Sequence, residues 1–226
     1  MRTVVTVYPP NAHLLSGFRR CADKFYPWEI ETHYALPDEA KSEQLRRLLT
    51  GIDDEYIILL EEDFWIVEEV DEELLNGIIS YCETVEADRF SLQSKNAHSY
   101  SDWDCNSWIG YDGFQGVYQT VPQVQVPFSL EASVWNTKFL LQYLGTNRDD
   151  GQIEMKTSDL LREHDVPTRI YALDKTVIEY RDAMRGGTKR HQIITMHDDP
   201  WRLEVEAGQE LALYPQCGTK KTVLNL

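Results

Sequence analysis

Residues 56–65 read Tyr-Ile-Ile-Leu-Leu-Glu-Glu-Asp-Phe-Trp, and this stretch decides the reading of the chain. Tyr56 to Leu60 is an unbroken apolar run of strand length, the pattern of a strand covered on both faces. It stops at three acids, Glu61, Glu62 and Asp63. A buried strand that ends in carboxylates places them at the mouth of a sheet, where open α/β sheets bind ligands. Clustered carboxylates repel one another unless a cation neutralises them, and hard oxygen ligands suit Mg²⁺ or Mn²⁺. The expected occupant is a divalent ion carrying a diphosphate. Phe64, Trp65, Ile66 and Val67 follow at once, so packing is expected to hold the acids in place.

Working outward, residues 2–8 (RTVVTVY) read as a first strand, broken by Pro9-Pro10-Asn11. Leu14, Leu15, Phe18, Cys21, Ala22 and Phe25 recur at helical spacing, and Pro27 ends that helix. Residues 29–36 alternate as a second strand. Leu45, Leu48, Leu49 and Ile52 mark a second helix that stops near Gly51. After the 56–60 strand, Asp71 caps a third helix with the stripe Leu74, Leu75, Ile78, Ile79, Cys82 and Val85. Arg89–Gln93 reads as a short strand. Strand and helix thus alternate three times in ninety residues, which predicts a parallel sheet with right-handed crossovers. Tyr8, the 36–38 loop and Glu61–Asp63 should meet at one crevice.

Residues 94–128 are polar with embedded aromatics and read as a substrate-facing loop or a hairpin insertion. Residues 123–134 have strand character and 135–144 helical character ended by Gly145. Thr157 or Ser158 is expected to cap a helix over 159–165, and 168–173 reads as a strand. Alternation beyond residue 192 predicts a terminal β-hairpin.

The chain has 226 residues, enough for one substantial α/β domain. The expected division is into residues 1–93, residues 94–190 and a terminal extension (191–226). No apolar run approaches the roughly 20 residues of a membrane span, and the start lacks a signal-peptide pattern, so a cytoplasmic location is expected, that of the host if the protein is viral. Four scattered cysteines without a CxxC argue against a zinc site or a disulfide framework. Cys21 and Cys82 read as buried thiols. A net charge of −16 disfavours a broad nucleic-acid grip, though not a local basic cleft.

Four ordered segments, LEEDFW (60–65), FSLEASVW (128–135), GQIE (151–154) and VIEYRDAMRGGTKR (177–190), together resemble a small GT-A fold glycosyltransferase of the bacterial and phage type. The resemblance implies a Rossmann-like, mostly parallel sheet flanked by helices, and a metal-dependent nucleotide-sugar transferase. The donor would be a UDP-sugar, and the acceptor a hydroxyl of a glycan or of a hydroxymethylated base in viral DNA. The acid triplet is Glu-Glu-Asp rather than Asp-rich, and Gly151-Gln152 stands where the family carries a tryptophan. Nucleotidyl transfer is the alternative chemistry, but Tyr8-Pro9-Pro10-Asn11 lacks the Gly-rich basic loop it needs after the first strand. A non-catalytic nucleotide-sugar-binding module is the other alternative.

Within that frame Asp63 is the first metal ligand, and Glu61 reaches the metal or the ribose. Glu62 reads as a solvated, strand-flanking acid. His191, with His197 behind it, is a late imidazole ligand. Tyr8 is placed to stack on the nucleobase. Arg185, Lys189 and Arg190 flank Gly186-Gly187 as an anion nest for the diphosphate. Trp103, Trp108 and Tyr111, with Phe114, supply an acceptor platform. Glu154, opening a helix after a Gly turn, is the expected base of an inverting displacement, ionised with help from the helix dipole. Asp159 is the alternative base.

Overall fold

The computed structural model describes residues 1–8, 12, 14–94, 108–111, 114–119, 128–144, 150–182, 184–185 and 188–189. The first half follows the hydrophobic pattern closely. Strand β1 (Arg2–Val7) leads to helix α1 (Leu15–Phe25), strand β2 (Ile30–Tyr34), helix α2 (Lys41–Thr50) and strand β3 (Tyr56–Glu61). A short strand β4 (Phe64–Ile66) precedes helix α3 (Glu72–Val85) and strand β5 (Arg89–Ser91). The Asp71 carboxylate accepts the Leu74 N–H at 2.9 Å, the N-cap expected from the sequence.

The second half holds strands β6 (Trp108–Tyr111), β7 (Phe114–Gln119) and β8 (Ser133–Asn136). Helices α4 (Thr137–Tyr143) and α5 (Asp150–Glu163) follow, then strands β9 (Ile170–Leu173), β10 (Tyr180–Asp182), β11 (Met184–Arg185) and β12 (Thr188–Lys189).

The main sheet has the order β2-β1-β3-β8-β5-β9-β7-β6. Its β1–β2, β1–β3 and β5–β9 pairs are parallel. Strands β8 and β7 run against the other six. The fold is therefore α/β, with a mostly parallel sheet and helices on both faces. On one face, α1 and α3 pack against Val5, Ile58, Leu60 and Phe90. On the other, α2, α4 and α5 pack against Val4, Ile57, Leu59 and Trp135. Strand β3 is apolar from Tyr56 to Leu60 because its alternate residues feed both cores. Burying each such side chain contributes about 1.5–3 kcal/mol.

The acid turn is held as expected. Strand β4 is buried and pairs antiparallel with β10, and the Phe64 ring stacks on Tyr180 with centroids 4.3 Å apart. Trp65 is covered by α1, which approaches so closely at Gly17 that a Cβ there would sit 2.3 Å from Trp65 Cζ2.

Several boundaries differ from the sequence reading. Of the strand character expected over 123–134, residues 123–127 lie outside the described residues, residues 128–132 form no strand, and β8 covers Ser133–Asn136, inserted antiparallel between β3 and β5 with Tyr56↔Asn136 in register. Asn136 then caps α4 by accepting the Phe139 N–H at 3.0 Å, so that helix starts two residues later than expected. The helix expected over 159–165 begins at Asp150. Thr157 and Ser158 are buried within it, and Ser158 Oγ accepts the Phe128 N–H at 3.2 Å instead of capping. The strand expected over Arg89–Gln93 ends at Ser91. Of the two readings of the 94–128 segment, the hairpin is realised by β6 and β7, which extend the sheet beyond β9. Cys21 and Cys82 are buried free thiols. The predicted terminal hairpin lies outside the described residues. Among the described residues no helix is long and apolar enough to cross a membrane.

Candidate functional site

The parallel register brings the C-terminal ends of β1, β2 and β3 to one rim, with Thr6 opposite both His33 and Glu61. Gln44 of α2 ties two of these ends together, donating from Nε2 to the Val7 carbonyl at 3.2 Å and the His33 carbonyl at 2.8 Å. Tyr8 follows β1 directly and is exposed, as are Tyr34 and Leu36 after β2. Two unpredicted aromatic and apolar side chains thus flank the residue expected to stack on a base.

Lys41, the first residue of α2, is 2% exposed. Its ammonium lies 2.8 Å from Glu61 Oε1 and donates to Thr6 Oγ1 at 3.1 Å. A cation in the first turn of a helix opposes the helix dipole. Its burial there is explained by the Glu61 carboxylate. A lysine in the first turn of a helix is the signal in the sequence that points to this pairing. Glu61, expected to reach a metal or the ribose, is thereby committed to a lysine through one oxygen. Glu62, read as solvated, is 2% exposed and packed into the turn. Asp63 is half-buried at the turn's apex.

A second charged group lies on the same sheet face, toward α5. Arg89 of β5 is fully buried, donates from Nε to Ser133 Oγ at 2.9 Å and covers the Trp135 ring at 5.1 Å. Its Nη2 lies 3.7 Å from Glu131 Oε2. Burial pushes the Arg89 guanidinium down, and the charges of Glu131, Glu154 and Tyr180 pull it back up. An arginine keeps its proton in such a setting. Glu131 precedes β8, whose start lies beside the end of β3 that carries Glu61. Leu59 pairs with Ser133, and two residues beyond that pair on either strand come Glu61 and Glu131.

Glu154 stands in the second turn of α5, one turn deeper than expected. Its Oε1 accepts the Leu130 N–H at 2.6 Å. Burial pushes its carboxyl above the ordinary range and Glu131 adds to that, while the Leu130 and Ser129 hydrogen bonds and Arg89 oppose it. Desolvation, and not the helix dipole, is thus the largest influence on this carboxyl. Asp159 lies on the exposed side of α5, ion-paired with Arg162.

The remaining predicted residues are divided. Arg185 and Lys189 lie on β11 and β12, an antiparallel pair whose strands are separated in sequence by Gly186-Gly187. Asp182, two residues before β11, pairs with Phe64, the neighbour of Asp63. The basic segment thus leaves the sheet beside the acid turn, within about 7 Å of chain reach. Trp108 and Tyr111 stand at opposite ends of β6, with four strands between it and β3. Only Tyr111 is at the rim end. Trp103, Arg190 and His191 lie outside the described residues. Among the described residues no three His, Cys, Asp or Glu side chains gather as a ligand set for a metal.

No family model and no curated protein matches the chain. Among solved structures it is similar to residues 1–349 of S. aureus TarS, at 11% identity and a TM-score of 0.47. That match covers 80% of this chain and 59% of the other, so the chain spans less than two thirds of that structure. It is similar to a UDP-glucose pyrophosphorylase complexed with UDP-glucose, at 9% identity over 80% and 93% of the two chains, with a TM-score of 0.44. It is also similar to A197 from STIV, at 14% identity over 82% and 87%, again at 0.44. The fold assignment rests on the strand order given above.

Proposed function

We propose that this chain is a metal-dependent glycosyltransferase of the GT-A type, taking a nucleotide-sugar donor, UDP-linked by preference, and a hydroxyl acceptor. The observation that carries the reading is the acid turn Glu61–Asp63. It is clamped between buried β3 and β4 at the C-terminal rim of three parallel strands, where a diphosphate is bound in sheets of this kind.

Asp63, at the apex of the turn, is the first carboxylate proposed to hold a divalent ion, while Lys41 takes one oxygen of Glu61. One carboxylate is enough for Mg²⁺ or Mn²⁺, which are held by one or two protein carboxylates together with substrate phosphates. The donor set at the turn therefore fits such an ion, with His191 as a further proposed ligand. When bound, the ion would supply Lewis-acid stabilisation of the diphosphate leaving group. The protein's own residues do the rest. Tyr8 offers a ring to the nucleobase. Arg185, Lys189 and Arg190 offset charge on the diphosphate. Glu154 accepts the acceptor's proton in an inverting displacement. Tyr111, with Trp103 and Trp108, contributes to the acceptor side. The acceptor is a glycan or a hydroxymethylated DNA base. A net charge of −16 favours the glycan.

The test is direct. UDP-, GDP- and CDP-sugars are screened for thermal stabilisation and for release of the nucleoside diphosphate, with and without Mn²⁺. A donor should both stabilise the fold by mass action and be hydrolysed in an ion-dependent way. Stabilisation without turnover would identify a binding module. Release of pyrophosphate from a nucleoside triphosphate would identify a nucleotidyltransferase.

A further inference from the structure

The half-buried Glu154 carboxylate belongs to one linked group of charges. Its Oε1 accepts the Leu130 N–H at 2.6 Å, and Ser129 adds a side-chain hydrogen bond to the same carboxylate. Ser129 Oγ also accepts the Glu131 N–H at 3.4 Å. Glu131 Oε2 in turn lies 3.7 Å from Arg89 Nη2. Arg89 is fixed from two further sides, donating from Nε to Ser133 Oγ at 2.9 Å and lying over the Trp135 ring at 5.1 Å. Strand β5, the segment before β8 and helix α5 thus supply one charge each to the group. Tyr180 of β10 bears on Arg89. Asp159, on α5 itself, is paired with Arg162 on the exposed side. A base works best when its affinity for a proton suits the working pH, since a weaker base takes the proton poorly and a stronger one already carries it. Burial first, and then the Glu131 charge, make Glu154 hold a proton more tightly, whereas the Leu130 and Ser129 hydrogen bonds and the Arg89 charge oppose them.

We infer that Arg89 and Glu131 are positioning residues for the proton transfer, acting through Glu154 as a fixed pair of opposite charges. This assignment rests on the glycosyl-transfer reading above. In the step, the acceptor oxygen bonds to the anomeric carbon and its proton passes to the Glu154 carboxylate. The bond from that carbon to the diphosphate oxygen breaks, and its electron pair leaves with the nucleoside diphosphate. Arg89 is 1% exposed, so its effect reaches the reaction as a charge behind the base and not as a contact with donor or acceptor.

Three variants test this, assayed with whichever sugar nucleotide of the UDP, GDP and CDP panel the wild type hydrolyses with Mn²⁺. The Glu154 carboxyl of each is also titrated by ¹³C NMR in the protein without donor. In R89M the acid limb of the kcat–pH profile should move to higher pH, by on the order of one unit, the effect of losing a nearby opposite charge. In E131Q it should move to lower pH, because a like charge is lost. R89K keeps the charge and should keep the wild-type limb. The Glu154 titration should move with the limb in each case, while donor-induced thermal stabilisation stays at the wild-type value. A general loss of packing would not displace two profiles in opposite directions. E131Q conserves size at a side chain that is 34% exposed, so it decides the matter if R89M does not fold. A Glu154 titration at the wild-type pH in E131Q, or a shift of E131Q and R89M in the same direction, overturns the assignment, while turnover by the wild type upholds the glycosyltransferase reading. A wild type that turns over no donor of the panel overturns both.

Discussion

The ammonium of Lys41 lies 2.8 Å from Glu61 Oε1, with the lysine 2% exposed and the pair set at the ends of β1 and β3. A buried ion pair owes its stability to both charges being present. Replacing Lys41 by Met should destabilise the fold by about 3–5 kcal/mol, because Glu61 would keep an uncompensated charge in a poorly solvated place. K41M/E61Q should recover much of that loss. Urea unfolding of the two singles and the double gives the coupling directly. Simple additivity would mean that the two residues do not act as a pair.

The contact of Gly17 with Trp65 is a second structural test. An alanine Cβ at position 17 would meet the indole at 2.3 Å, inside any real contact distance. Gly17→Ala is predicted to cost about 1–3 kcal/mol, the usual range for overpacking a core. Because Trp65 follows the acid turn so closely, the variant should also weaken Mn²⁺-dependent donor binding. A melting temperature equal to the wild type's would show that α1 shifts without penalty.

Asp63→Asn is predicted to abolish ion-dependent donor hydrolysis with little change in stability. The side chain is half-buried and the isosteric amide fills the same space, but its charge is gone. Thermal shift with nucleotide and Mn²⁺ together is the cleanest readout: the wild type should show an ion-dependent increment and the variant none. An unchanged increment would move the ion elsewhere.

Glu154 predicts a pH dependence of stability. Its folded carboxyl is raised by burial first and by Glu131 next, against the Leu130 and Ser129 hydrogen bonds and Arg89. For a group raised on folding, the favourable contribution is fully present below the unfolded value of about 4.3. It is lost as pH rises through the folded value. E154Q carries no such charge. Relative to the wild type it should therefore be most stable at neutral pH and lose that relative advantage as the pH is lowered. Urea unfolding across the acid range measures the difference, and a difference that does not vary with pH would show that Glu154 is not desolvated.

The basic segment beside the acid turn gives a binding prediction. K189A/R190A should weaken donor affinity and reduce its salt sensitivity, since both cations would act on the diphosphate through a screened field. Melting of the ligand-free protein is expected hardly to move. Unaltered affinity at low salt would place the compensating cation elsewhere, with Lys41 the next residue to test.

Much of this molecule is local and was therefore legible. The apolar run Tyr56–Leu60 announced a strand covered on both faces. The stripe Leu74, Leu75, Ile78 and Cys82 announced the helix that Asp71 caps. Periodicity reports which face of an element is buried, and it did so for the first three strand–helix units and for the packing of the acid turn. It does not report what covers that face. The insertion of β8 between β3 and β5 depends on pairing between segments some eighty residues apart, such as Tyr56 with Asn136. No local pattern encodes such a register. The charged residues show the same limit. Nothing in the local pattern marks Lys41 or Arg89 for burial, because a charge by default belongs in water. They are buried because the chain brings Glu61 to one and Ser133, Glu131 and Glu154 to the other. Sequence by itself settled the first three strand–helix units and the acid turn at the mouth of the sheet. Tertiary structure decided that Glu61 pairs with a buried lysine, that Glu62 is buried and that Glu154 is desolvated, since the electrostatics of a carboxylate depend on neighbours supplied from elsewhere in the chain.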